Sequence, residues 1–482
     1  MPERNKLTIV QLNDVHGYLE PHPELVWGHS GPLFPILGGF ARIAGALRRI
    51  RVETGGNLLT LDNGDMFHGT YPAVVSKGYG IVPAANALGI DAMTAHWEFA
   101  WGPDHFEKLA AKLNYPVLAL NCYRTNDGTR PFLPSAIFNR GGVTVGVIGM
   151  AATIIDKSMP PSFSVGRRFD IDEVALSMEI QRLRNEEVCQ VIVVLSHLGL
   201  PQDAKLAEAV DGIDVILSGH THNRLRTAIL VRETIIIQSG CHGSFLGRLD
   251  LVIGERGILS FDHMLIPIDD RFQADEAMQQ IVDDIMRPHR SELGRQVGVT
   301  LIPLHRNLQL YSPMDDLLLH AIAMAAGTDV AFSNGWRYGA PIPAGPVTVN
   351  DLWNIIPTNP SVSVTDLLGA DIRQMMEENL ERTFSPDPYR QMGGYLKRFR
   401  GLTMFGKLEN PAGHRIEHIF FKGRELEDDE EIAVSFVTAQ GVPEKYGHAR
   451  RDLSIRAIEA LEACLAAGGA ASPDDVGRFY VS

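Results

Sequence analysis

Five short motifs rich in Asp and His follow apolar runs in the first half of this 482-residue chain. Asp14 and His16 are two residues apart, as are His220 and His222, and residues at i and i+2 of an extended chain point the same way. Each pair can therefore offer two ligands to one ion, and mixed imidazole and carboxylate ligation suits Mn²⁺, Zn²⁺ or Fe²⁺. The motifs are Asn13-Asp14-Val15-His16-Gly17, Asp62-Asn63-Gly64-Asp65, Ala95-His96-Trp97-Glu98, Ser196-His197-Leu198-Gly199 and Gly219-His220-Thr221-His222.

Strand-like runs alternate with helix-like stretches from Leu7 to about Ile268, which predicts an α/β sandwich with much parallel sheet. Ligands in open α/β sheets bind beyond the carboxyl ends of the strands, so all five motifs can converge on one crevice. The expected helices include Phe40–Arg51 and Asp172–Glu187. The expected strands are Leu7–Leu12, Leu58–Leu61, Val117–Leu120, Val143–Ile148, Val191–Leu195, Val215–Leu217, Ile235–Ile237 and Leu249–Ile253.

The pattern changes after the first half, and the chain is too long for one ordinary core. Residues from about Phe272 to Gly298 predict a charged amphipathic helix that joins two domains. We therefore expect one domain over residues 1–268, a linker helix over 269–300 and a second domain over 301–482. The second domain is expected to contain helices at Asp315–Ala326, Ala370–Arg382 and Leu453–Ala466 and strands around Ile416–Phe421 and Glu431–Phe436. A flexible Gly/Ala/Ser-rich tail is expected after them.

Composition narrows the class of partner. A net charge of −14 argues against a nucleic acid polymer or an anionic membrane, whereas a small anionic substrate is compatible because bound cations invert the local field. The four cysteines form no CxxC pair, and we expect them to be reduced and mostly buried. Few residues precede the first apolar run, which leaves no room for a signal peptide, and we expect a cytoplasmic protein. The oligomeric state is left open.

The motifs resemble those of the calcineurin-type metallophosphoesterases, and in detail those of the 5'-nucleotidase family. Gln238-Ser239-Gly240 and Leu246-Gly247-Arg248 resemble the closing strands of the first domain, and Ser333-Asn334-Gly335 with residues 347–378 resembles the family's substrate-binding domain. The resemblance implies a four-layer α/β/β/α sandwich followed by an α+β domain. It also implies two metal ions that share Asp65 and one bridging hydroxide. By position, the first ion is expected on Asp14, His16, Asp65 and His222, and the second on Asp65, His197, His220 and a residue of the third motif.

The third motif departs from the family's usual Gly-Asn-His-Glu. His96 replaces the metal-binding Asn, Trp97 replaces the His of a catalytic His-Asp dyad, and Ala100 replaces the Asp. Imidazole can still bind a metal ion, but an indole can neither donate a proton as an acid nor carry positive charge. We therefore predict catalytic roles for His96, His68 and His242, with Arg337 as a further group that could hold an anionic oxygen.

This His-Trp-Glu-Phe variant is similar to that of the thiosulfohydrolases of bacterial sulfur oxidation, in the same superfamily. The run Phe384–Tyr389 with Gly393-Gly394 also resembles their second domain, although those enzymes are exported and this chain shows no export signal.

In the 5'-nucleotidases, aromatic residues of the second domain stack on the base; the alternative is that such residues fill the core. We predict the substrate-binding residues to be Asn334, Trp336, Arg337, Tyr338, Tyr395 and Phe399. The leading hypothesis is hydrolysis of a small phosphomonoester, with a 5'-nucleotide as one candidate, at two divalent ions, of which manganese is favoured over zinc or iron. The alternatives are hydrolysis of an S-sulfonated substrate and a non-catalytic metal- or ligand-binding protein.

Overall fold

The computed structural model describes residues 5–255, 257–468 and 477–482. These residues form two compact units. The first runs from the start of the described chain to Glu24 and from Pro35 to Pro288, and the second comprises Leu25–Phe34 and His289–Ser482. The second unit therefore includes a short hairpin from the N-terminal region, whose Trp27 ring lies 6.5 Å from the ring of His305.

The secondary structure follows the strand and helix alternation expected from the sequence. The strands are β1 (Asn5–Leu12), β2 (His22–Pro23), β3 (Val26–Gly28), β4 (Gly31–Leu33), β5 (Ile36–Leu37), β6 (Leu58–Asp62), β7 (Ala92–Met93), β8 (Cys122–Arg124), β9 (Ser135–Arg140), β10 (Val143–Met150), β11 (Arg167–Phe169), β12 (Val191–Ser196), β13 (Val215–Ser218), β14 (Ile229–Val231), β15 (Thr234–Ile237), β16 (Phe245–Gly254), β17 (Gly257–Pro267), β18 (Gln296–Thr300), β19 (Val330–Ser333), β20 (Gly345–Thr348), β21 (Ser361–Leu368), β22 (Arg398–Arg400), β23 (Leu402–Gly406), β24 (Ile416–Phe421), β25 (Arg424–Glu425), β26 (Glu431–Phe436), β27 (His448–Arg456) and β28 (Arg478–Val481). The α-helices are α1 (Phe40–Glu53), α2 (Tyr71–Val75), α3 (Val82–Ala87), α4 (Pro103–Ala110), α5 (Glu173–Asn185), α6 (Leu200–Ala209), α7 (Glu276–Met286), α8 (Arg290–Leu293), α9 (Pro313–Ala326), α10 (Val349–Ile355), α11 (Gly369–Phe384), α12 (Thr438–Gly441) and α13 (Ala457–Ala466).

The first unit is built on two sheets that face each other. One sheet has the order β17-β16-β1-β6-β7, with β1, β6 and β7 parallel, and the other has the order β14-β15-β13-β12-β10-β9, with β10, β12, β13 and β15 parallel. Alternate residues of both sheets, such as Ile9, Leu61, Val193 and Leu217, form one fully buried cluster between them. The intervening residues of the second sheet pack against α5 and α6. The unit is the predicted four-layer α/β/β/α sandwich.

The second unit combines α-helices with antiparallel and mixed sheets, as the predicted α+β domain requires. Its largest sheet has the order β22-β19-β26-β21-β27, and a smaller one has the order β25-β24-β23-β28. One core cluster joins these sheets to α11 through residues that include Phe332, Met376, Leu402 and Val434.

Three expected elements differ in the structure. Val117–Leu120 forms only isolated bridges, to Met93 and Leu133, and not a strand. The expected helix over Phe272–Gly298 is broken into α7, α8 and β18, since Pro288 interrupts it. α7 buries Met278 and Val282 and packs with α1 and α3, so it belongs to the first unit and is not a free linker.

The last helix begins at Ala457 because Leu453–Arg456 complete β27, which pairs with β21. The expected flexible tail falls largely outside the described residues. All four cysteines are buried. Among the described residues, no helix combines the length and apolar character that a membrane crossing requires.

Candidate metal centre

The predicted metal ligands lie in loops at the carboxyl ends of neighbouring parallel strands. The loops after β1, β6 and β7 extend from one sheet, and those after β12 and β13 extend from the other. Parallel strands end at the same edge of a sheet, which brings all five loops to one place. In chain order they carry Asp14 and His16, then Asp65, His96, His197, and finally His220 and His222.

Asp65 lies at the middle of the cluster. Its Oδ1 accepts a hydrogen bond from the backbone N–H of Trp97 at 2.8 Å. Its Oδ2 is 3.3 Å from His96 Nδ1, 3.3 Å from His197 Nε2 and 3.7 Å from His16 Nε2. One carboxylate oxygen is thus fixed by the backbone while the other faces three imidazoles, which is the arrangement expected of a shared ligand.

Asp14 occupies the second acidic position. Its Oδ1 lies 3.3 Å from His222 Nε2 and 3.5 Å from His197 Nε2, and its carboxylate accepts the backbone N–H of His220. The donor atoms fall into sets whose members lie within 4.8 Å of one another. The sets are Asp14, His16 and His222, then His96, His197 and His220, and finally Asp14, Asp65 and His197. The first two correspond to the two ion sites implied by the family resemblance, and Asp65 connects them.

The backbone of this cluster is strained. Asp14, His16, Asp65, His220 and His222 all have φ between 53° and 70°, in the left-handed region that side chains with a Cβ rarely adopt. Each such residue costs of the order of 1 kcal/mol and persists where the surrounding structure enforces it. Strain of this kind is concentrated at functional sites, and five of the seven candidate ligands share it.

Backbone carbonyls fix the orientation of two of the imidazoles. His16 Nδ1 donates to the carbonyl oxygen of His68 at 3.2 Å, and His197 Nδ1 donates to that of Asn63 at 2.6 Å. A carbonyl oxygen only accepts, so each ring carries a proton on Nδ1 and, in its neutral form, presents an Nε2 lone pair to the cluster. This is the orientation that a metal-binding histidine requires.

A buried amide holds the loop that carries His220 and His222. Gln238 Nε2 donates to Ser218 Oγ at 2.9 Å and to the Gly219 carbonyl at 2.6 Å, while its Oε1 accepts the Thr221 hydroxyl at 3.1 Å and the Asn223 backbone N–H. The side chain spans both ends of the loop, and the pattern of the sequence gives no sign of this role.

The cluster fits divalent cations. Burial lowers the pKa of His16 to about 3, and its Nε2 lone pair faces Asp65 Oδ2 at 3.7 Å, an arrangement that is repulsive unless a cation lies between them. The buried Nε2 of His96 has no hydrogen-bond partner. Burial lowers the pKa of His197, but the Asp65 and Asp14 carboxylates outweigh it and raise the pKa to about 10, so the local field strongly favours positive charge. Calcineurin-like phosphoesterases bind divalent metal ions, and this donor set suits Mn²⁺, Zn²⁺ or Fe²⁺.

Trp97, which replaces the dyad histidine, forms part of an aromatic group beside the cluster. The His68 ring stacks on Trp97 with centroids 4.5 Å apart and planes 22° apart, and Phe163 contacts the other side of the indole edge-on at 5.6 Å. Burial lowers the pKa of His68 to about 4, so its ring is neutral at pH 7. Its buried Nδ1 has no hydrogen-bond partner. His68 is therefore close to the cluster, as predicted, but it is not charged.

His242 is the other predicted replacement, and it lies against the cluster. Its ring centroid is 6.1 Å from those of both His16 and His222, and its backbone N–H donates to the Asp14 carbonyl at 2.7 Å. Burial lowers the pKa of His242, but Cys241 and Glu24 outweigh this effect and raise the pKa to about 9. His242 can thus carry the positive charge that Trp97 cannot.

Glu24, which the sequence analysis missed, connects three loops around His242. One carboxylate oxygen accepts from Arg224 at 2.6 Å, and the other accepts from Ser244 Oγ at 2.8 Å and lies 3.3 Å from His242 Nδ1. Arg224 follows His222 by two residues, so the carboxylate ties the loop of a metal ligand to the loop of His242. Glu24 is 1% exposed and lies in no recognisable motif, and its role was visible only after folding.

We expect the Glu24→Gln variant to bind divalent ions about tenfold less tightly and to turn over substrate about 10- to 100-fold more slowly. Glu24 holds His242 and, through Arg224, the loop that carries His222, and groups that orient a metal site from outside typically contribute that much. Loss of the carboxylate leaves Arg224 and His242 without their shared counterion. Metal titration and steady-state kinetics measure the two effects. Glu233→Gln, a change outside the network, is the control, and equal metal affinity in Glu24→Gln and wild type would contradict the role.

The predicted substrate residues all lie in the second unit. Asn334, Trp336, Arg337 and Tyr338 form the loop after β19, and the Tyr395 backbone N–H donates to the Gly335 carbonyl at 2.6 Å. The structure therefore brings Tyr395 to this loop.

Phe399 differs from the prediction. It lies on β22, 5% exposed, inside the core cluster of the second unit and 6.4 Å from the Phe332 ring. This ring fills the hydrophobic core of the second unit, so it is not available to stack on a ligand.

Comparison with known proteins agrees with this geometry. Residues 7–224 match the calcineurin-like phosphoesterase family, and residues 274–437 match the 5'-nucleotidase C-terminal domain. The chain therefore belongs to the calcineurin-like phosphoesterases that carry a 5'-nucleotidase C-terminal domain, and this family is hydrolytic. It has the two-domain architecture of the 5'-nucleotidases, as the resemblance of its motifs predicted.

Solved structures resemble the chain over its whole length. The sulfate thiohydrolase SoxB of Thermus thermophilus has a TM-score of 0.90 and 25% identity, with 99% of this chain and 97% of that chain covered. A 5'-nucleotidase precursor from Thermus thermophilus has a TM-score of 0.86 and 23% identity, with 99% of each chain covered, and shows the shared fold. Among sequences, the trifunctional nucleotide phosphoesterase YfkN of Bacillus subtilis is 25% identical over 85% of this chain. The chain spans 30% of YfkN's length.

Proposed function

We propose that this protein hydrolyses a small phosphomonoester, with 5'-nucleotides among the candidates, at a centre of two divalent metal ions. The observation that carries the proposal is the convergence of seven Asp and His side chains, six of them buried and His222 half-buried, in one cluster with Asp65 at its middle. Two ions held there would activate water and neutralise charge on the transferring phosphoryl group.

The residues of the centre have distinct tasks in this proposal. The set of Asp14, His16 and His222 would hold one ion, the set of His96, His197 and His220 would hold the other, and Asp65 would serve both. Phosphoryl transfer asks the protein mainly for positioning and for compensation of negative charge. The strained loops and the carbonyls that orient His16 and His197 provide the positioning.

His242 takes the task of the missing dyad. It is anchored through Nδ1 to Glu24 and lies against the rings of His16 and His222. In its protonated form it would give its Nε2 proton to the leaving-group oxygen as the phosphorus–oxygen bond breaks, so that the product leaves as a neutral alcohol. The stack of His68 on Trp97 would form a wall beside the cluster that limits the access of water.

Hydrolysis of an S-sulfonated substrate is the second candidate. It is supported by Trp97 in place of the dyad histidine and by the likeness to SoxB over 99% of the chain. A thiolate leaves more readily than an alkoxide and has less need of a proton donor. A site with the indole of Trp97 in place of the dyad histidine therefore suits an S-sulfonated substrate.

The deciding experiment is metal removal and reloading. The protein stripped with chelator should release no phosphate, and reloading with Mn²⁺ should restore release from at least one member of a panel of phosphomonoesters that includes AMP. Metal content is measured in parallel by mass spectrometry. If two ions are bound per chain and no ester is hydrolysed, the phosphatase proposal fails, and sulfate release from S-sulfocysteine and S-sulfoglutathione tests the second candidate.

A further inference from the structure

Three side chains of metal-binding type lie beside the proposed two-ion centre and belong to neither of its ligand sets. Glu24, Cys241 and His242 are all buried and all belong to the first unit. A carboxylate oxygen of Glu24, the sulfur of Cys241 and a ring nitrogen of His242 lie within 4.8 Å of one another. Cys241 has no task in the proposed hydrolysis, although its sulfur lies against the imidazole that Glu24 anchors.

The distances within this group match those around a tetrahedral metal ion. His242 Nδ1 is 3.4 Å from Cys241 Sγ and 3.3 Å from Glu24 Oε2. Ligands about 2.0–2.3 Å from a tetrahedral Zn²⁺ lie roughly 3.3–3.6 Å from one another. Hydrogen bonding accounts for the two contacts less well, because Nδ1 carries at most one proton and that proton can point at only one of the two acceptors.

Neighbouring groups hold Glu24 and His242 in this position. Glu24 Oε1 accepts from Arg224 at 2.6 Å, while Oε2 accepts from Ser244 Oγ at 2.8 Å. A carboxylate oxygen has two lone pairs, so Oε2 can bind an ion and keep the hydroxyl as a donor. The backbone N–H of His242 donates to the Asp14 carbonyl at 2.7 Å, which fixes the chain that carries the other two ligands.

The ligand types select the kind of ion. A carboxylate and a thiolate together balance the charge of a divalent ion, as a buried site requires. Thiolate and imidazole ligands favour Zn²⁺ over Mn²⁺, whereas the donors of the two-ion centre are carboxylate oxygens and imidazole nitrogens alone. An ion bound through sulfur would therefore differ from a Mn²⁺ pair in its chemistry.

We propose that Glu24, Cys241 and His242 form a third cation site, for a thiophilic divalent ion such as Zn²⁺, beside the two-ion centre. The ion takes the place of the proton on His242 Nδ1, so the ring is no longer an imidazolium while the ion is bound. On the proposed hydrolase function, on which this consequence alone rests, the third ion is an inhibitor because it removes the protonated form of His242.

Binding is tested on the Mn²⁺-loaded full chain with Cd²⁺, a thiophilic probe whose bonds to thiolate absorb in the ultraviolet. Wild type should take up one Cd²⁺ with the thiolate-to-cadmium band, and mass spectrometry should show both Mn²⁺ ions retained. Cys241→Ser should lose the band and the added ion but keep both Mn²⁺ ions, which shows that the variant is folded. Cys241→Ala gives the same test if the serine variant does not fold.

Cys189→Ser is the matched control. It makes the same change at a buried cysteine of the first unit that belongs to none of the ligand groups found among the described residues, and it should bind Cd²⁺ as wild type does. No band in wild type, or an unchanged band in the Cys241 variants, overturns the third site. A band that grows with the loss of one Mn²⁺ also overturns it, since Cys241 would then be a ligand of the two-ion centre.

Inhibition is measured separately from binding. Zn²⁺ at the concentration that fills the third site should lower the kcat of Mn²⁺-loaded wild type about 10²-fold, the loss expected when a proton donor is removed. The same Zn²⁺ should leave Cys241→Ser at its own zinc-free rate. Binding of the third ion without inhibition overturns the inhibitory role and supports the site, whereas binding in a protein that hydrolyses no ester overturns the hydrolase proposal alone.

Discussion

The Asp65→Asn variant is expected to bind no more than one divalent ion per chain and to lose at least about 10³-fold in kcat/KM, roughly 4 kcal/mol of transition-state stabilisation. The reason is the position of the carboxylate, whose Oδ2 lies 3.3–3.7 Å from three imidazoles of both ligand sets. An amide cannot supply the negative charge that two neighbouring cations need. Asn also tolerates the left-handed backbone at φ 56°, so the fold is retained.

Metal content by mass spectrometry and initial rates of hydrolysis measure the two effects. Asp203→Asn is a matched control, since this fully buried carboxyl belongs to the same unit but to neither ligand set, and it accepts a hydrogen bond from Ser196 that an amide oxygen can also accept. Burial raises the pKa of Asp203 to about 7, so the neutral amide is a mild change. Two ions bound to Asp65→Asn with wild-type affinity would show that this residue is not the shared ligand.

The second large effect is expected at His242. His242→Ala should lower kcat about 10²-fold while two ions remain bound, because the imidazole contacts the ligand rings but belongs to neither ligand set. Loss of a proton donor affects the chemical step more than substrate binding, so KM should change less than kcat.

The effect of losing the His242 imidazole must be separated from the effect of the substitution on a strained backbone. His242 has φ 60°, where Ala is unfavourable and Asn is tolerated, so His242→Asn should show the same loss of turnover with a smaller loss of stability. His263→Ala, a half-buried histidine on β17, is the control and should retain activity. An unchanged kcat in both His242 variants would remove this residue from the mechanism and leave His68 as the remaining candidate.

The sequence was sufficient to predict the sandwich and the clustering of the candidate ligands at one of its edges. The pairs Asp14–His16 and His220–His222 are local patterns, and each ligand loop directly follows an apolar run that forms a strand. Since parallel strands end at one edge, local patterns along the chain predict a cluster in space. The replacement of the dyad histidine by Trp97 was also visible in the sequence, as a departure from the family's motif.

Only the tertiary structure showed what supports the ligands and what fills the second unit. Glu24 bonds Arg224, 200 residues later, and Ser244, 220 residues later, and no local pattern encodes partners so distant. The same holds for Asp315, shared by Arg306 and by Arg398, 83 residues later. Aromatic residues such as Trp336 look alike in sequence whether they stack on a ligand or cover a buried cation. Folding decides between these roles, because burial and pairing depend on which distant side chains meet.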